Sequence, residues 1–600
     1  MSVARLFPKV YRLLGPARWA FFSTLIVALL AMSWNLVTFL SAAVLLQGLA
    51  DFVNLPEWGP GDGGLLTAAY HLVGDLPESQ RLMLGFVATV GSMLISGLLG
   101  LVVLIVNLRF LSRFFVQVQA MCFERVLAYR MEFHDETRRS QLSQLIIVES
   151  RACYSMLKEL TTLASNGFRV GIHVAFLLYI SPLLSVIAGT AGLAAWLVIS
   201  RLNRVTKRWS EVALGRRNDL MALTQEALYG IRQVKLLGIT SRVQEEFRRA
   251  ATDSMRLLAR VSVFVNGQSV VMQAFGLCCV IAVVGLIAIA PDTLSPGRVV
   301  LFLFVATGVI PVVGASAREW GIVNEQVPAV VSLFRFLSED DRVREVGGRL
   351  KRPVLLEESI VFDRVRLDYE NRPRVLDDVS LRIRRGERLG IVGASGSGKT
   401  SLANLIPRLY DPTEGRILID GTDLREFSLE FLRRRIGLLS QDVFVFNTSV
   451  LENIRLGRPD STEEEIVAAA RLAYAHDFIV ALPDGYGTII GDQGAKLSGG
   501  QRQRINIAQV FLRQPEVLVL DEATSALDSE SEALVQDAIE RLSRDRTVVL
   551  VAHRLSTLRA VDRLVVLDSG KIVEEGTWEG LRHSGGPFAR MLEMQASAML

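Results

Sequence analysis

The chain has 600 residues, half of which are hydrophobic, and its mean hydropathy is positive at +0.34. That length exceeds one ordinary domain several times over, and that composition excludes an ordinary water-soluble protein. The formal net charge is +4 at pH 7, and we expect no nucleic acid among the partners.

The first half of the chain contains long uncharged segments. Asp, Glu, Lys and Arg are absent from residues 19–50, 82–108, 170–200, 261–290 and 299–317. Each segment approaches or exceeds the ~20 residues that a helix needs to cross a bilayer. The pair Ser181-Pro182 divides the third segment, and apolar residues continue upstream of it. The sequence therefore predicts six membrane-spanning helices, of which the third and fourth are joined by a tight turn.

Residues 6–14 place basic side chains among apolar ones, as the start of a signal peptide does. The apolar segment that follows is much longer than the ~7 to 15 residues of a signal sequence. We therefore expect an interfacial helix that leads into a retained first span.

The charges between the spans predict the orientation of the chain. Residues 51–80 contain five acidic side chains and neither Lys nor Arg, whereas residues 201–260 contain thirteen Lys and Arg. Because basic segments remain on the cytoplasmic side, the first segment is predicted to be external and the second cytoplasmic. The C-terminal half then lies in the cytoplasm, and the chain is expected in the cell (inner) membrane.

One cation interrupts the apolar character of the third span. Arg169 lies twelve residues before Ser181, which places it roughly 18 Å below the outer surface, near the middle of the bilayer. His173, four residues later, lies on the same helix face. Arg169 is either paired with a neighbouring helix or marks a substrate path for an anionic headgroup. We treat Arg169 and His173 as candidate substrate contacts.

The second half has a different pattern. We expect a membrane domain at residues 1–337, a charged linker at 338–356 and an α/β domain at 357–600, because short apolar strands alternate there with helices. Strands are predicted at residues 360–369, 389–392, 436–439, 517–520 and 548–551. The predicted fold is thus an all-α six-helix transmembrane domain followed by an α/β domain.

A phosphate-binding motif follows the strand at residues 389–392. Residues 393–400 fit G-x-x-x-x-G-K-[ST], in which glycines let backbone N–H groups surround phosphate oxygens. Lys399 supplies a charge and Thr400 a magnesium ligand, and a helix predicted at residues 401–409 directs its N-terminus at the phosphates. The motif predicts that the α/β domain is a P-loop nucleotide hydrolase, but alone it indicates only a nucleotide. Together with the signature segment described below, it makes ATP and Mg²⁺ the expected cofactors. The predicted contacts of this loop are Gly393, Ser395, Gly396, Gly398, Lys399, Thr400 and Ser401.

Two adjacent carboxylates, Asp521 and Glu522, end the strand at residues 517–520. Burying such a pair costs too much desolvation to be accidental. The alternative is a structural pair of acids that cap a helix.

The segment Leu497-Ser498-Gly499-Gly500-Gln501, followed by Arg502-Gln503-Arg504, resembles the signature of ATP-binding cassette proteins. In that family the signature contacts ATP that is bound by a second copy of the domain. The resemblance implies that Asp521 helps to hold magnesium, that Glu522 is the general base and that His553 senses the γ-phosphate. It also implies that Gln441 approaches the magnesium and the water, that Tyr369 stacks on adenine, and that Asp528 belongs to the loop that crosses to the other copy. The expected signature contacts are Ser498, Gly499, Gly500 and Gln501.

Over nearly its full length the chain resembles a half-transporter of the ATP-binding cassette exporters. Long cytoplasmic extensions at residues 109–159 and 201–260 are typical of that family, which places short coupling helices at their tips, here near residues 133–145 and 240–246. A homodimer is expected, because the catalytic positions are intact and each copy supplies half of each site.

The sequence allows more than one class of substrate. We favour a lipid, a lipid-linked glycan or another amphipathic molecule, because apolar spans surround one candidate anion site; a peptide or multidrug exporter is the alternative. A soluble cassette protein is disfavoured because it would lack the spans. A channel or receptor is disfavoured because it would not need Glu522.

Overall fold

The computed structural model describes residues 18–52, 76–137, 139–289, 296–338, 344–352, 354–369, 372–440, 443–491, 494, 496–521, 529–552 and 555–598. The predicted interfacial helix at residues 6–14 lies outside these ranges. The chain divides into two compact units, which we describe separately. The N-terminal unit comprises Met1–Tyr129 and Glu136–Val343, and the C-terminal unit comprises Arg130–Asp135 and Arg344–Leu600.

Helices make up the described part of the N-terminal unit, and six of them are long and apolar enough to cross a membrane. This confirms the six predicted spans. The long helices are α1 (Arg18–Phe52), α2 (Glu78–Leu127), α5 (Ser150–Ile180), α6 (Pro182–Tyr229), α8 (Thr240–Ile289) and α9 (Pro296–Leu337).

The tight turn between α5 and α6 forms at the predicted place. Ser181 is extended, and its hydroxyl accepts a hydrogen bond from the Leu184 N–H at 3.4 Å. Pro182 occupies the first helical position, where its missing N–H costs nothing. A local cap therefore divides the apolar segment into two spans.

Short helices connect the long ones on the segments predicted to be cytoplasmic: α3 (Met131–Glu136), α4 (Arg139–Gln144) and α7 (Ile231–Leu236). A π-helical turn, Leu145–Glu149, joins α4 to α5. In the segment at residues 201–260 a short tip helix was predicted at residues 240–246. The short helix found there, α7, begins nine residues earlier, and Thr240 is the first residue of the long helix α8. Gly238, with a φ of +67°, makes the turn between them.

The C-terminal unit contains two sheets. The larger has the order β10-β9-β3-β8-β7-β6, in which β9 to β6 are parallel and β10 pairs antiparallel with β9. Its strands are β3 (Arg388–Val392), β6 (Ile436–Leu439), β7 (Val517–Asp521), β8 (Thr547–Val551), β9 (Arg563–Asp568) and β10 (Lys571–Gly576). The smaller, antiparallel sheet has the order β2-β1-β4-β5, from β1 (Ser359–Tyr369), β2 (Arg372–Arg384), β4 (Glu414–Ile419) and β5 (Thr422–Asp423).

The helices of this unit pack against the parallel sheet or against one another. They are α10 (Lys399–Leu405), α11 (Leu429–Arg435), α12 (Val450–Arg455), α13 (Glu463–Leu472), α14 (His476–Val480), α15 (Gly499–Arg513), α16 (Ser529–Ser543), α17 (Trp578–Arg582) and α18 (Pro587–Ala598). The helix predicted at residues 401–409 is α10, which begins two residues earlier and ends four residues earlier. It ends early because Pro407 has no N–H to donate the next helical hydrogen bond, although Ile406 itself keeps helical backbone angles.

Candidate functional site

The phosphate loop connects the buried strand β3 to helix α10. Gly398 has a φ of +104°, and a Cβ there would lie 2.6 Å from the carbonyl oxygen of Val375. A Cβ on Gly393 would lie 2.1 Å from the carbonyl oxygen of Leu567. Larger residues would therefore push the loop away from its neighbours. The glycines of the motif hold the backbone in a curve whose N–H groups can surround an anion.

Lys399 is 5% exposed, and its Nζ donates hydrogen bonds of 2.9 Å to the carbonyl oxygens of Gly393 and Ala394. The ammonium group therefore lies across the loop. The hydroxyl of Ser397 is buried and has no hydrogen-bond partner in the described part of the chain. A buried cation beside an unsatisfied hydroxyl suits a phosphate ligand.

Thr400 and Asp521 lie close together although they are 121 positions apart in the chain. The Thr400 hydroxyl lies 3.4 Å from Asp521 Oδ1. Asp521 is the last residue of β7, next to β8 in the parallel sheet, so both groups lie at the carboxyl edge where ligands of such sheets bind. Hydroxyl and carboxylate oxygens are ligands that Mg²⁺ prefers, and the pair fits that ion.

Four residues with predicted roles, Gln441, Glu522, Asp528 and His553, lie outside the described residues. Glu522 follows Asp521 directly, and His553 comes two residues after the end of β8.

Tyr369 ends β1 and contacts the start of α10. Its hydroxyl donates to the Ser401 hydroxyl at 3.2 Å, and its ring meets the ring of Tyr410 edge to face, with centroids 5.3 Å apart. Burial raises the pKa of Tyr369, so the phenol remains neutral at physiological pH. Tyr369 is therefore fixed beside the helix that follows the phosphate loop.

The sequence did not predict a contact that Tyr410 makes with a residue of the first half of the chain. Tyr410 donates a hydrogen bond of 2.6 Å to Asp135 Oδ2, and Asp135 lies in α3, which packs with the C-terminal unit. Burial, followed by the hydrogen bond to Asp135, raises the pKa of Tyr410. No local signal predicts a contact between residues 275 positions apart.

The signature segment forms the start of α15. Ser498 caps this helix: its hydroxyl accepts from the Gln501 N–H at 3.2 Å, and Gln501 Oε1 accepts from the Ser498 N–H at 2.9 Å. This reciprocal pair is a capping box. Ser498 and Gly499 are exposed, whereas Gly500 is buried. The cap therefore presents Ser498 and the first N–H groups of the helix at the surface, where an anion can bind.

In the N-terminal unit the two candidate substrate residues differ in their surroundings. His173 is 3% exposed; its Nδ1 donates to the Arg169 carbonyl oxygen at 2.7 Å, and its ring lies 4.6 Å from that of Phe39. Arg169 is half-buried, and its Nε is buried without a hydrogen-bond partner. Among the described residues, no carboxylate lies within 4.0 Å of its guanidinium.

An apolar cavity of about 290 Å³ lies next to this region. Four spans line it, with Val170, the neighbour of Arg169, among the lining residues. The side chains are almost all aliphatic or aromatic; examples are Val174 on α5, Ala188 on α6, Phe275 on α8 and Val309 on α9. Such a cavity suits hydrocarbon.

Six membrane-spanning helices joined to a phosphate-loop domain that carries a signature helix define a membrane-embedded ATPase. The sequence matches the family model of the ABC transporter transmembrane region over residues 20–310 and that of the ABC transporter over residues 376–525. The chain belongs to the ABC exporters, as a half-transporter that fuses one membrane domain to one nucleotide-binding domain. It is a multi-pass membrane protein that binds ATP and hydrolyses it to drive export.

Several relatives support this membership. An ATP-dependent lipid A-core flippase of Thiobacillus denitrificans is 37% identical over 499 residues, which cover 81% of this chain and 84% of that protein. The heterocyst differentiation ATP-binding protein HepA of Nostoc sp. is 35% identical over 473 residues, 79% of this chain and 78% of that protein. A solved structure of a bacterial Atm1-family ABC exporter with ATP bound covers 97% of this chain and 100% of that one, at 25% identity and a TM-score of 0.82.

Proposed function

We propose that the protein is a homodimeric exporter that moves a lipid, a lipid-linked glycan or another amphipathic molecule with an anionic headgroup across the cell (inner) membrane. The observation behind the substrate class is Arg169. Arg169 lies near mid-span, its guanidinium has no carboxylate within ion-pair distance among the described residues, and the next residue, Val170, lines an apolar cavity. A cation at that depth is costly unless it meets water, protein or an anionic ligand.

The roles in the nucleotide site follow from the contacts of the described residues. Lys399 and the N–H groups of residues 393–401 would bind the phosphates, and Tyr369 would stack on the adenine. Thr400 and Asp521, with Gln441, would hold Mg²⁺, which when bound neutralises charge on the phosphates. Glu522 would position and deprotonate the attacking water, and His553 would contact the γ-phosphate.

The exposed signature cap supports a two-copy site. Ser498 and Gly499 are open to solvent at the start of α15, which suits a phosphate bound by another chain. In a homodimer, Ser498, Gly499, Gly500 and Gln501 of one copy, together with Asp528 from its neighbouring loop, would complete the site begun by Lys399 of the other. Two ATP molecules would then stabilise the closed dimer, and only their higher affinity for that state can drive the transport cycle.

The two candidate substrate residues would act differently. Arg169 would contact the headgroup directly. His173 is packed against Phe39, and a Cβ added at Gly308 would lie 3.4 Å from its Nε2. This burial supports an indirect role in which the His173 Nδ1–H bond to the Arg169 carbonyl fixes the helix turn that carries the guanidinium.

Multidrug export is the second candidate, and several relatives described as putative multidrug export proteins favour it. The putative multidrug export ATP-binding/permease protein YgaD of Bacillus subtilis is 49% identical, but only over 238 residues, 40% of this chain. The lipid A-core flippase of T. denitrificans matches over 81% of the chain. Because the longer match must include much of the membrane domain, which binds substrate, it gives the lipid class more support.

Mixed dimers test the two-copy site. One chain would carry Ser498→Arg and the other Lys399→Ala, each with a different affinity tag, and the mixed dimer would be purified through both tags. One site then holds both lesions and the other holds neither. We expect ATP hydrolysis well above that of either single-variant homodimer, because one complete site remains.

Two controls make this experiment decisive. The mixed dimer of wild type with Lys399→Ala measures the activity of a single complete site. Homodimers of each variant measure the background. If the single complete site is active but the Ser498→Arg and Lys399→Ala mixture remains at background, the sites are built within one chain and the proposal is wrong.

A further inference from the structure

Tyr474 occupies a backbone conformation that tyrosine rarely adopts. It lies between α13 and α14 with a φ of +54°. In this left-handed region the Cβ crowds the following carbonyl, so Gly and Asn are the usual residues. The Tyr474 N–H donates to the Arg471 carbonyl, and the next N–H, of Ala475, donates to the Ala470 carbonyl at 2.7 Å. A bulky residue thus ends α13 where a glycine would cost less.

The backbone of Tyr474 is bound to the signature helix. Arg504, in the second turn of α15, donates from Nη1 to the Tyr474 carbonyl oxygen at 2.9 Å and from Nε to the Gly500 carbonyl oxygen at 3.4 Å. Its guanidinium also lies 4.8 Å from the ring centroid of Phe478 in α14. The turn at Tyr474 and the Gly500 peptide of the signature therefore share one arginine.

The side chain of Tyr474 reaches a different helix. Its hydroxyl donates to Asp537 Oδ2 in α16, and Arg541 of α16 lies 4.8 Å from its ring centroid. Arg541 also pairs with Asp537 at 2.8 Å. The hydrogen bond from Tyr474 lowers the pKa of Asp537, so the acceptor is ionised. Backbone and side chain of one residue thus connect α15 with α16.

These two helices carry both segments that the dimer needs from one chain. Ser498 to Gln501 open α15, and α16 begins at Ser529, directly after Asp528. Both helices also contribute to one apolar core, with Ile505 and Val535 each fully buried in it. Apolar packing is non-directional, whereas hydrogen bonds have preferred angles and restrict rotation of the helices against each other.

We propose that Tyr474 is a positioning residue, which sets the signature helix against the helix after Asp528 so that both segments meet the ATP of the partner copy. The unfavourable backbone conformation supports a purpose for this side chain, because strain of this kind persists where it serves function. This inference rests on the two-copy site proposed above. Its distinctive consequence is that a lesion at Tyr474 impairs the site that uses the phosphate loop of the other chain.

Two substitutions at Tyr474 separate the effect of its side-chain contacts from the effect of its backbone conformation. Tyr474→Asn retains a residue that tolerates positive φ and removes both contacts with α16. Tyr474→Phe retains the ring under Arg541 and removes only the hydroxyl. We expect kcat/KM for ATP in homodimers to fall about tenfold for Tyr474→Asn and about threefold for Tyr474→Phe. Tyr486→Phe is the matched control, since its hydroxyl contacts His476 in the same unit and not α15 or α16.

The proposal is tested in tagged mixed dimers in which Tyr474→Asn is placed either in the chain opposite Lys399→Ala or in the same chain. With Tyr474→Asn in one chain and Lys399→Ala in the other, the surviving phosphate loop faces an intact signature helix. We expect the activity of the wild-type and Lys399→Ala dimer. With both substitutions in one chain and wild type in the other, the surviving loop faces the altered helix, and we expect the full fall of about tenfold.

The opposite pattern, with the loss in the first arrangement and not in the second, would overturn the proposal and assign Tyr474 to the site of its own chain. Equal losses in both arrangements, or losses matched by Tyr486→Phe and by a fall in melting temperature, would make its role merely structural. If Tyr474→Asn does not fold, the same two arrangements with Tyr474→Phe decide. The same two arrangements with Ser498→Arg in place of Tyr474→Asn test the two-copy site itself. If Ser498→Arg shows the expected difference between the arrangements and Tyr474→Asn does not, the two-copy site stands and only the role of Tyr474 is wrong.

Discussion

The two units of this protein place their function-bearing residues in very different ways. In the C-terminal unit the phosphate loop is fixed by contacts that leave no room for a side chain, as at Gly393 and Gly398. In the N-terminal unit the candidate substrate residue is one half-buried arginine beside an apolar cavity. Gly91, Gly97 and Gly100 of its second span have no atom within 4 Å of an added Cβ. Glycine is a geometric necessity at these two positions of the C-terminal unit but not at these three positions of the N-terminal unit.

This difference follows from the ligands. Phosphate-loop ATPases all bind the same triphosphate through backbone N–H groups, so their loop must keep one backbone geometry. An amphipathic substrate is bound mostly through hydrocarbon, which many combinations of apolar side chains can accommodate. Motifs therefore identify the nucleotide site, whereas the proposed substrate path rests on one half-buried charge.

The largest effect should come from the chemistry of the C-terminal unit. Glu522→Gln is expected to bind ATP but to lose steady-state hydrolysis by roughly 10² to 10⁴, the usual contribution of a general base. Without nucleotide the N-terminal unit should be unaffected, so substrate binding measured in the absence of ATP by quenching of intrinsic fluorescence should persist. Glu540→Gln, an exposed glutamate on α16, is the matched control. Wild-type turnover in Glu522→Gln would contradict the assignment.

Arg169→Ala tests the N-terminal unit alone. We expect basal ATP hydrolysis to persist and its stimulation by anionic lipid in liposomes to require about tenfold more lipid, because one charge-assisted contact is lost. Stimulation by a neutral amphiphile should change less. The control is Arg151→Ala, an exposed arginine near the start of the same helix.

If the anionic and the neutral responses of Arg169→Ala both match wild type, the arginine has a structural role and the anionic preference loses its residue-level support. Failure of Arg169→Ala to fold would indicate a buried ion pair with a residue outside the described ranges, and removing one partner of such a pair costs about 3 to 5 kcal/mol.

Asp420→Asn is expected to affect only the stability of the C-terminal unit. Burial raises the pKa of Asp420, but hydrogen bonds from the N–H groups of Glu357, Ser359 and Glu358 outweigh it, and the net pKa is lowered. A lowered pKa stabilises the fold above the ordinary carboxyl range, and this contribution is lost as the pH falls through the folded-state value. Asn cannot accept all three bonds, so stability at pH 7 should fall by about 1 kcal/mol.

The measurement for Asp420→Asn is the melting temperature in detergent over pH 3 to 7, compared with that of wild type. The difference between the two proteins should shrink as the pH is lowered below about 4. Asp460→Asn, at an exposed carboxylate, should show little difference at any pH. A constant deficit for Asp420→Asn across the range would show that charge at Asp420 is unimportant.

The smallest expected effect concerns the segment of the first half of the chain that packs with the C-terminal unit. Asp135→Ala removes the acceptor for Tyr410, whose ring fixes Tyr369. We expect KM for ATP to rise about two- to threefold with kcat nearly unchanged, as for loss of one partly exposed hydrogen bond. Asp135→Asn, which keeps an acceptor, should lie closer to wild type. An unchanged KM in both variants would separate Asp135 from nucleotide binding.

Much of the fold was predictable because it depends on local patterns. Uncharged segments gave the six spans, and the Ser181-Pro182 pair marked the turn that divides α5 from α6. The strand predicted at residues 436–439 is β6, and those ending near Asp521 and Val551 are β7 and β8. The short helix α7 was missed, and the second tip helix was instead predicted at the start of α8, because both segments are helical in pattern and only residues 237–239 separate them.

The sequence by itself determined the family, the nucleotide chemistry and the number of spans, since phosphate binding and membrane crossing impose fixed spacings and compositions on neighbouring residues. Tertiary structure alone decided which distant groups meet: Asp135 with Tyr410, and Tyr474 with Asp537. It also decided that His173 is packed whereas Arg169 has no carboxylate partner among the described residues. Such contacts depend on how helices and strands pack, and no spacing along the chain encodes them.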